Sequence, residues 1–332
     1  MSKADERGSD PAAEASKSAG LPVVRSLLSV TARQGLRPKS PTARKSWLST
    51  LARMTGELRE QRLKLQAVSD VSPPEVIRAL ARIEAQLVRP LRIAIVGEFN
   101  SGKSSLANLL LGIEGLPTAV ISSTQIPTLL YYSVRPQVFV VDLNDRRTEV
   151  RDVASIPKTS VRRLEVGLPS PRLHGVEVLD LPGLADPRFE RGMGDLMLET
   201  AHVLLWCTAS TQAWKESERI AWEILPAPLR RHALLVVTHS DLVNDAKDTH
   251  KLLRRLRMEA GGFRDILLVS TTNALALLPG KRDELCHAAW MATGADGLDV
   301  ALDQLLASVA ARRSKVALAV THRIASRALA RL

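Results

Sequence analysis

Aromatic residues make up only 3% of this 332-residue chain and cysteine occurs twice. No apolar run approaches the roughly 18 residues that a membrane-spanning helix needs. With so few rings the core must be built from Leu, Val, Ile and Ala, and single-stranded nucleic acid would find few stacking platforms. Cys207, in an apolar strand-like run, and Cys286, in a helix-like one, have neither metal-ligand nor disulfide-framework spacing, so both read as buried thiols. The basic, apolar, small-residue succession of a signal peptide is also missing. Together these absences set the expectation of a globular protein in a reducing cytoplasm.

Acidic residues are missing from two stretches. Residues 21–53 carry seven Lys or Arg and no Asp or Glu; residues 304–332 carry six and none. These thirteen account for the net charge of +11 and leave the rest of the chain slightly acidic. Basicity confined to the flanks points to an anionic surface met by the ends of the chain, against the plainer possibility of solvated helix faces.

What is present is centred on Gly97-Glu98-Phe99-Asn100-Ser101-Gly102-Lys103-Ser104-Ser105. A β-branched run, Arg92 to Val96, precedes it, and Leu106, Leu109, Leu110 and Leu111 follow at helical spacing. Strand, glycine loop and helix make a phosphate cradle. Backbone N–H groups turn inward, the helix start adds partial positive charge, Lys103 adds a full one, and Ser104 offers a hydroxyl to Mg²⁺. The hydroxyl-rich segment 115–128 can order itself around a γ-phosphate, with Thr124 as the expected ligand of phosphate and Mg²⁺ and Ser123 as the alternative. Asp180-Leu181-Pro182-Gly183-Leu184 closes a strand. Its carboxylate can hold the magnesium through water, and Gly183 frees an N–H for the γ-phosphate. Thr238-His239-Ser240-Asp241 ends another strand, where the Asp241 carboxylate can accept from the ring N–H and exocyclic amine of guanine; adenine has no such pair of donors. Backbone N–H groups of Ser270 and Thr271, after a further strand, are placed to reach the base carbonyl.

In chain order, residues 1–43 read as a disordered, basic tail, with a short amphipathic run from Leu21 broken after Gly35. Residues 44–89 hold two helices, Trp47–Val68 and one from Pro73–Pro74 to Leu87. The nucleotide module occupies 90–295, with strands expected at Thr128–Val134, Gln137–Leu143, Thr148–Val153, Gly175–Leu179, Ala201–Thr208, Ala233–Thr238 and Ile266–Ser270. A short helix is expected at Ser155–Glu165, and others at Trp214–Leu225 and Ala246–Ala260. Residues 296–332 contain a long basic helix, with one break expected near Ser314. The alternation predicts an α/β fold with a doubly wound, mostly parallel sheet.

With these motifs in order, the chain resembles the GTPase domain of the dynamin superfamily, and within it the bacterial dynamin-like proteins. The loop Gly97 to Leu106, the run Leu116-Pro117-Thr118 through Ser122-Ser123-Thr124 to Pro127-Thr128, the approach from Pro169 into Asp180-Leu181-Pro182-Gly183, and Thr238 to Asp241 are similar to that family's four motifs. The resemblance covers roughly residues 90–275. It implies a P-loop GTPase that binds GTP or GDP with Mg²⁺, through Glu98 to Ser105, Gly183, Thr238, His239, Asp241, Ser270 and Thr271, with Lys103, Thr124 and Asn100 in catalytic roles and Ser104, Thr124 and Asp180 on the metal. It also implies that residues 44–88 and 298–331 pack as a helical bundle.

Three departures from the family pattern bear on chemistry. His239 stands where Lys is usual. Phe99 and Leu184 occupy the two positions at which related enzymes carry a catalytic Gln, and neither can orient a water. Asn100 matches the Asn that holds K⁺ in cation-stimulated relatives, which implies K⁺-stimulated hydrolysis on self-association across the nucleotide face. From the 332-residue length, the long stalk and membrane-inserting paddle of larger relatives are not expected. The basic flanks would then dock on an anionic membrane, peripherally at the inner face, or on a second dynamin-like protein. Two other readings are an Era-like GTPase whose flanks bind ribosomal RNA, for which the scarcity of aromatics is mildly unfavourable, and a GTP-binding scaffold with little hydrolysis.

Overall fold

Two prolines start the first two helices, since Pro is pre-set for a helix's opening turn. Helix α1 spans Pro41–Ala67 and α2 spans Pro74–Val88. The α1 start precedes the expected Trp47 by six residues, and α2 buries Leu80 and Leu87 of its apolar stripe. The computed structural model describes residues 41–67, 74–113, 126–150, 160–184, 200–243, 245–278 and 284–329. The tail ahead of 41, the hydroxyl-rich 114–125 and the stretch 185–199 lie outside the described residues, so the readings of Thr124 and Ser123 do too.

The strands are β1 Leu91–Gly97, β2 Thr128–Tyr132, β3 Gln137–Asp142, β4 Arg147–Glu149, β5 Val161–Leu168, β6 Val176–Asp180, β7 Val203–Ala209, β8 Ala233–Thr238 and β9 Asp265–Leu268. Among the described residues they form one sheet in the order β4-β3-β5-β2-β6-β1-β7-β8-β9. Pairing is parallel from β6 through β1, β7 and β8 to β9 and between β2 and β5; it is antiparallel where β2 meets β6 and β3 meets β4 and β5. The parallel half needs both faces covered, which is why β1, β7 and β8 read as near-continuous apolar runs.

Those faces carry two cores. Ile93 and Ile95 of β1 point into one, with helix α3 (Lys103–Leu111), Trp47 of α1, and Leu298, Leu302, Leu305 and Leu306 of the C-terminal helix. Ala94 and Val96 point into the other, where Trp206, Trp214, Trp222 and Phe263 pack edge to face or stacked. Four of the chain's eleven aromatic residues thus gather in this second core. Around that core run α4 (Glu216–Glu223), α5 (Ala227–Arg230) and α6 (Ala246–Glu259). Helices α7 (Thr271–Ala276), α8 (Glu284–Ala292) and α9 (Ala295–Leu329) complete the order, and α9 returns along α1 and α2 to form a three-helix bundle.

Several expectations are corrected. Residues 161–165, read as part of a helix from Ser155, lie in β5; residues 151–159 are outside the described residues. Alternation decides this segment: Leu164, Val166 and Leu168 join the first core, while Glu165 on the opposite face takes the guanidinium N–H groups of Arg147 at 2.7 Å and Arg163 at 2.9 Å. Pairing with β2 and β3 outweighs the weak helical preference of Arg-Arg-Leu-Glu. The helix expected from Trp214 begins at Glu216, because Trp214 sits at φ 62°, where a helix cannot run. Helix α9 is unbroken at Ser314, which is buried inside the bundle. No helix among the described residues is long and apolar enough to cross a membrane.

At the start of β7, His202 Nδ1 accepts the Arg92 N–H at 3.0 Å. Burial, with the charges of Arg313 and Arg92, pushes its pKa down to about 4. The unfolded imidazole titrates near ~6.5, so below that pH the unfolded chain binds a proton that the folded chain refuses. Stability should therefore fall as pH drops from about 6.5 towards 4, and chemical denaturation of His202→Gln across that window should show a flatter profile. In the bundle root, Leu306→Ala should cost ~2–5 kcal/mol through the cavity it leaves. Val316→Ala, at a site 56% exposed, should stay within ~0.5 kcal/mol by urea denaturation.

Candidate nucleotide site

The crevice lies at the carboxyl ends of β1, β6, β7 and β8, where the helices change from one face of the sheet to the other. It begins with a close approach. A Cβ on Gly97 would stand 2.1 Å from the Cys207 carbonyl oxygen of β7, so only glycine lets the chain leave β1 there. Asn100 at φ 59° and Gly102 at φ 83° then curl the loop into the first turn of α3. Asn is among the few side chains that tolerate this region.

Lys103 is 9% exposed, and its Nζ donates to the carbonyls of Gly97 at 3.1 Å and Glu98 at 2.7 Å. Burial lowers its pKa, opposed by the nearby acidic groups Cys207, Asp180 and Glu98. The Glu98 carboxylate is drawn away from the loop interior to accept the Ser217 hydroxyl at 2.6 Å, at the start of α4. Phe99, by contrast, stands 70% exposed at the loop's crest.

Across the crevice, Asp180 ends β6. Its Oδ2 accepts the Ser104 hydroxyl at 3.1 Å, while Oδ1 is buried with no hydrogen-bond partner. Burial raises its pKa to about 6, with Lys103, the Ser104 hydroxyl and the Leu181 N–H pulling the other way. An orphaned carboxylate oxygen beside a hydroxyl is a hard-oxygen pair that fits Mg²⁺. Gly183 lies against the loop: a Cβ there would stand 3.0 Å from the Phe99 nitrogen, and the Leu184 N–H reaches the Gly97 carbonyl at 3.2 Å. The two phosphate-facing segments are thus stitched together.

Thr238 is fully buried, and its hydroxyl lies 2.7 Å from the Ser101 carbonyl, 3.2 Å from that of Thr208 and 2.9 Å from His239 Nδ1. Expected as a nucleotide contact, it is placed here with its side chain between the Ser101 turn and β7. His239 follows at φ 54°, its carbonyl held by the Ser210 hydroxyl at 2.7 Å. Asp241 lies in a short 3₁₀ turn, Ser240–Leu242, and its Oδ1 accepts the Ser270 hydroxyl at 2.6 Å. The Ser270 N–H is spent on the Thr293 carbonyl at 2.9 Å, so Ser270 orients Asp241 and does not offer that N–H to a base. Thr271 is buried at the first position of α7, and Ser101 and Ser105 line the cradle turn, with Ser101 Oγ buried and unpartnered.

Four residues were not foreseen. Ser217 holds Glu98, Ser210 holds His239, and Thr208 and Glu218 form a buried pair beneath the crevice. Glu218 accepts from Thr208 Oγ1 at 2.9 Å, Trp206 Nε1 at 3.1 Å and the Lys215 N–H at 3.0 Å, and burial raises its pKa. A hydroxyl two residues past an apolar strand was the available signal, and a weak one.

Comparison with known proteins agrees with this geometry. Residues 93–240 match the Dynamin family. The chain is 29% identical over 170 residues to Dynamin-like protein 2 of Campylobacter jejuni, covering 49% of this chain and 28% of that one. It is 33% identical over 118 residues to isoniazid-induced protein IniC of Mycobacterium tuberculosis, covering 33% and 24%. The chain thus spans about a quarter of the length of these curated relatives. A solved structure of an oligomerised bacterial dynamin pair, described as a mechanism for long-range sensing and tethering of membranes, superposes with a TM-score of 0.63 at 17% identity, over 89% of this chain and 57% of that one. The fold is therefore that of a P-loop GTPase with helical flanks.

The Asp180 geometry yields a stability test. A buried acid whose folded pKa is raised destabilises the fold fully above that pKa, and the penalty fades as pH falls towards ~3.8, where the unfolded acid titrates. In ligand-free, magnesium-free protein at pH 8, Asp180→Asn should therefore raise the thermal midpoint; a lowered midpoint would show that the carboxylate is better paired than its orphaned oxygen indicates.

Proposed function

We propose that this chain, whose residues 93–240 match the Dynamin family, binds GTP with Mg²⁺ and hydrolyses it to GDP and phosphate, with the bound nucleotide governing self-association across the nucleotide face. One observation carries the reading: a buried ammonium held only by two carbonyls of its own loop faces a buried carboxylate oxygen with no partner. Such a pair is completed by an anion and a cation arriving together, as a magnesium-bound nucleotide does.

In this reading Lys103 exchanges the Gly97 and Glu98 carbonyls for phosphate oxygens. The backbone from Glu98 to Ser105 wraps the phosphates at the α3 start, and Ser104, Asp180 and Thr124 hold the magnesium, which when bound neutralises charge developing on the phosphate oxygens. Asp241, fixed by Ser270, accepts the two guanine donors, and the His239 ring lies against the base. Water attacks the γ-phosphorus as the bond to the β–γ bridging oxygen breaks. Since Phe99 and Leu184 cannot orient that water, positioning falls to backbone groups, Thr124 and a K⁺ ion at Asn100, whose exposed, left-handed position leaves it open to a second nucleotide face. Helix α9 and the basic segment near residue 40 would meet an anionic membrane or a second dynamin-like protein at the periphery.

Steady-state hydrolysis measured across a protein titration tests this. Turnover per molecule should rise with concentration in K⁺ and remain low in Na⁺, and Lys103→Ala should lower it by ~100-fold or more. Equal rates in both salts would remove K⁺ from the account, and a wild type no faster than Lys103→Ala would leave a GTP-binding scaffold.

A further inference from the structure

Away from the crevice, a cavity of about 420 Å³ opens between α2 and α9 at the root of the bundle. Its walls are apolar: Ile83 and Leu87 from α2, Val309, Val316 and Val320 from α9. Its polar groups are Gln86, His202, Arg312 and Arg313, and no carboxylate lines it.

The polar groups are not scattered. Helix α2 runs down to the sheet and ends at Val88, whereas α9 leaves the sheet, so the two are antiparallel and the Arg89 end of α2 meets the Arg313 level of α9. Arg313 spends one N–H on the Arg89 carbonyl at 2.9 Å. His202 Nδ1 accepts the Arg92 N–H, which leaves the ring proton on Nε2 as a donor. Neither Arg312 nor Arg313 has an ion-pair partner among the described residues. Above this cationic floor the trough continues along Ile83, Val316 and Val320, and the seven helical steps from Arg313 to Val320 extend it by ~10 Å. Val316 is 56% exposed beside Lys315 on the acid-free part of α9.

We propose that this cavity binds a single-chain anionic amphiphile, a long-chain fatty acid, with its carboxylate on Arg312, Arg313 and His202 and its tail along the valine-lined trough. A guanidinium fork matches a carboxylate bidentately, and the partly buried placement of Arg313 strengthens its pairing relative to that of the exposed Arg312. The volume sits at the small end of ligand pockets, which suits one acyl chain. The basic flanks of a second copy are poor occupants on charge, because residues 304–332 and 21–53 bring only the same sign. The proposal does not depend on the nucleotide reading.

Calorimetric titration of the full chain with oleate, below its micelle concentration, tests it. Saturable one-to-one binding is expected, weakened at least ~10-fold when oleyl alcohol replaces oleate, and likewise by R312Q/R313Q or by V316D, which sets a carboxylate beside the tail. Arg312→Gln alone, at an exposed position, serves if the double variant loses its wild-type thermal midpoint. Absence of saturable binding, equal affinity for the alcohol, or indifference to all these substitutions would overturn the proposal. So would phosphatidylglycerol vesicles that bind with no free-oleate binding, a result that would make this face a membrane-docking surface.

Discussion

A lysine buried at the tip of a parallel strand is the constraint around which this molecule is arranged. An ammonium taken from water costs several kcal/mol unless its donors are met, and here the meeting is done by the carbonyls of Gly97 and Glu98. Those carbonyls face Lys103 only because Gly97 passes against β7 without a side chain and because Asn100 and Gly102 accept left-handed backbone. The loop shape is held from outside. Thr238 ties Ser101 to β8, Leu184 ties Gly97 to the end of β6, and Ser217 draws the Glu98 carboxylate outward. Two of these ties come from the ends of β8 and β6 and the third from the start of α4, so three separate elements hold the cradle.

This arrangement gives the ligand-free protein a stored electrostatic mismatch. Asp180 has one oxygen on Ser104 and one on nothing, and its pKa is pushed up to about 6 by burial even with Lys103 nearby. Binding that supplies a cation to Asp180 and an anion to Lys103 relieves both at once. The flanking helices add a second, separate concentration of charge at the other end of β7, where Arg312, Arg313 and His202 gather without an acid. The two sites share the sheet but not its chemistry.

Much of this was legible in the residues. Strand–loop–helix at Gly97, a carboxylate at a strand end 77 residues past Lys103, and a long C-terminal helix follow from spacing and periodicity. The roles of Thr238 and Ser270 were not legible, because a hydroxyl that binds backbone or another side chain leaves the same letter in the sequence as one that binds ligand. Strand β5 was misread since Ser-Val-Arg-Arg-Leu-Glu suits a helix locally, and only its place between β2 and β3 settles the alternation of Leu164, Val166 and Leu168. Buried Glu218 went unnoticed for the same reason: three donors from Trp206, Thr208 and Lys215 meet it in space and not in sequence.

In the proposed function, Lys103, Asp180 and Asp241 together make a magnesium-dependent, guanine-selective site. Direct binding of GTP and of ATP, each with and without Mg²⁺, addresses it most squarely. The account predicts one-to-one GTP binding that tightens with Mg²⁺ and ATP binding weaker by ~100-fold or more. Equal affinity for the two nucleotides, or GTP binding indifferent to the metal, would contradict it.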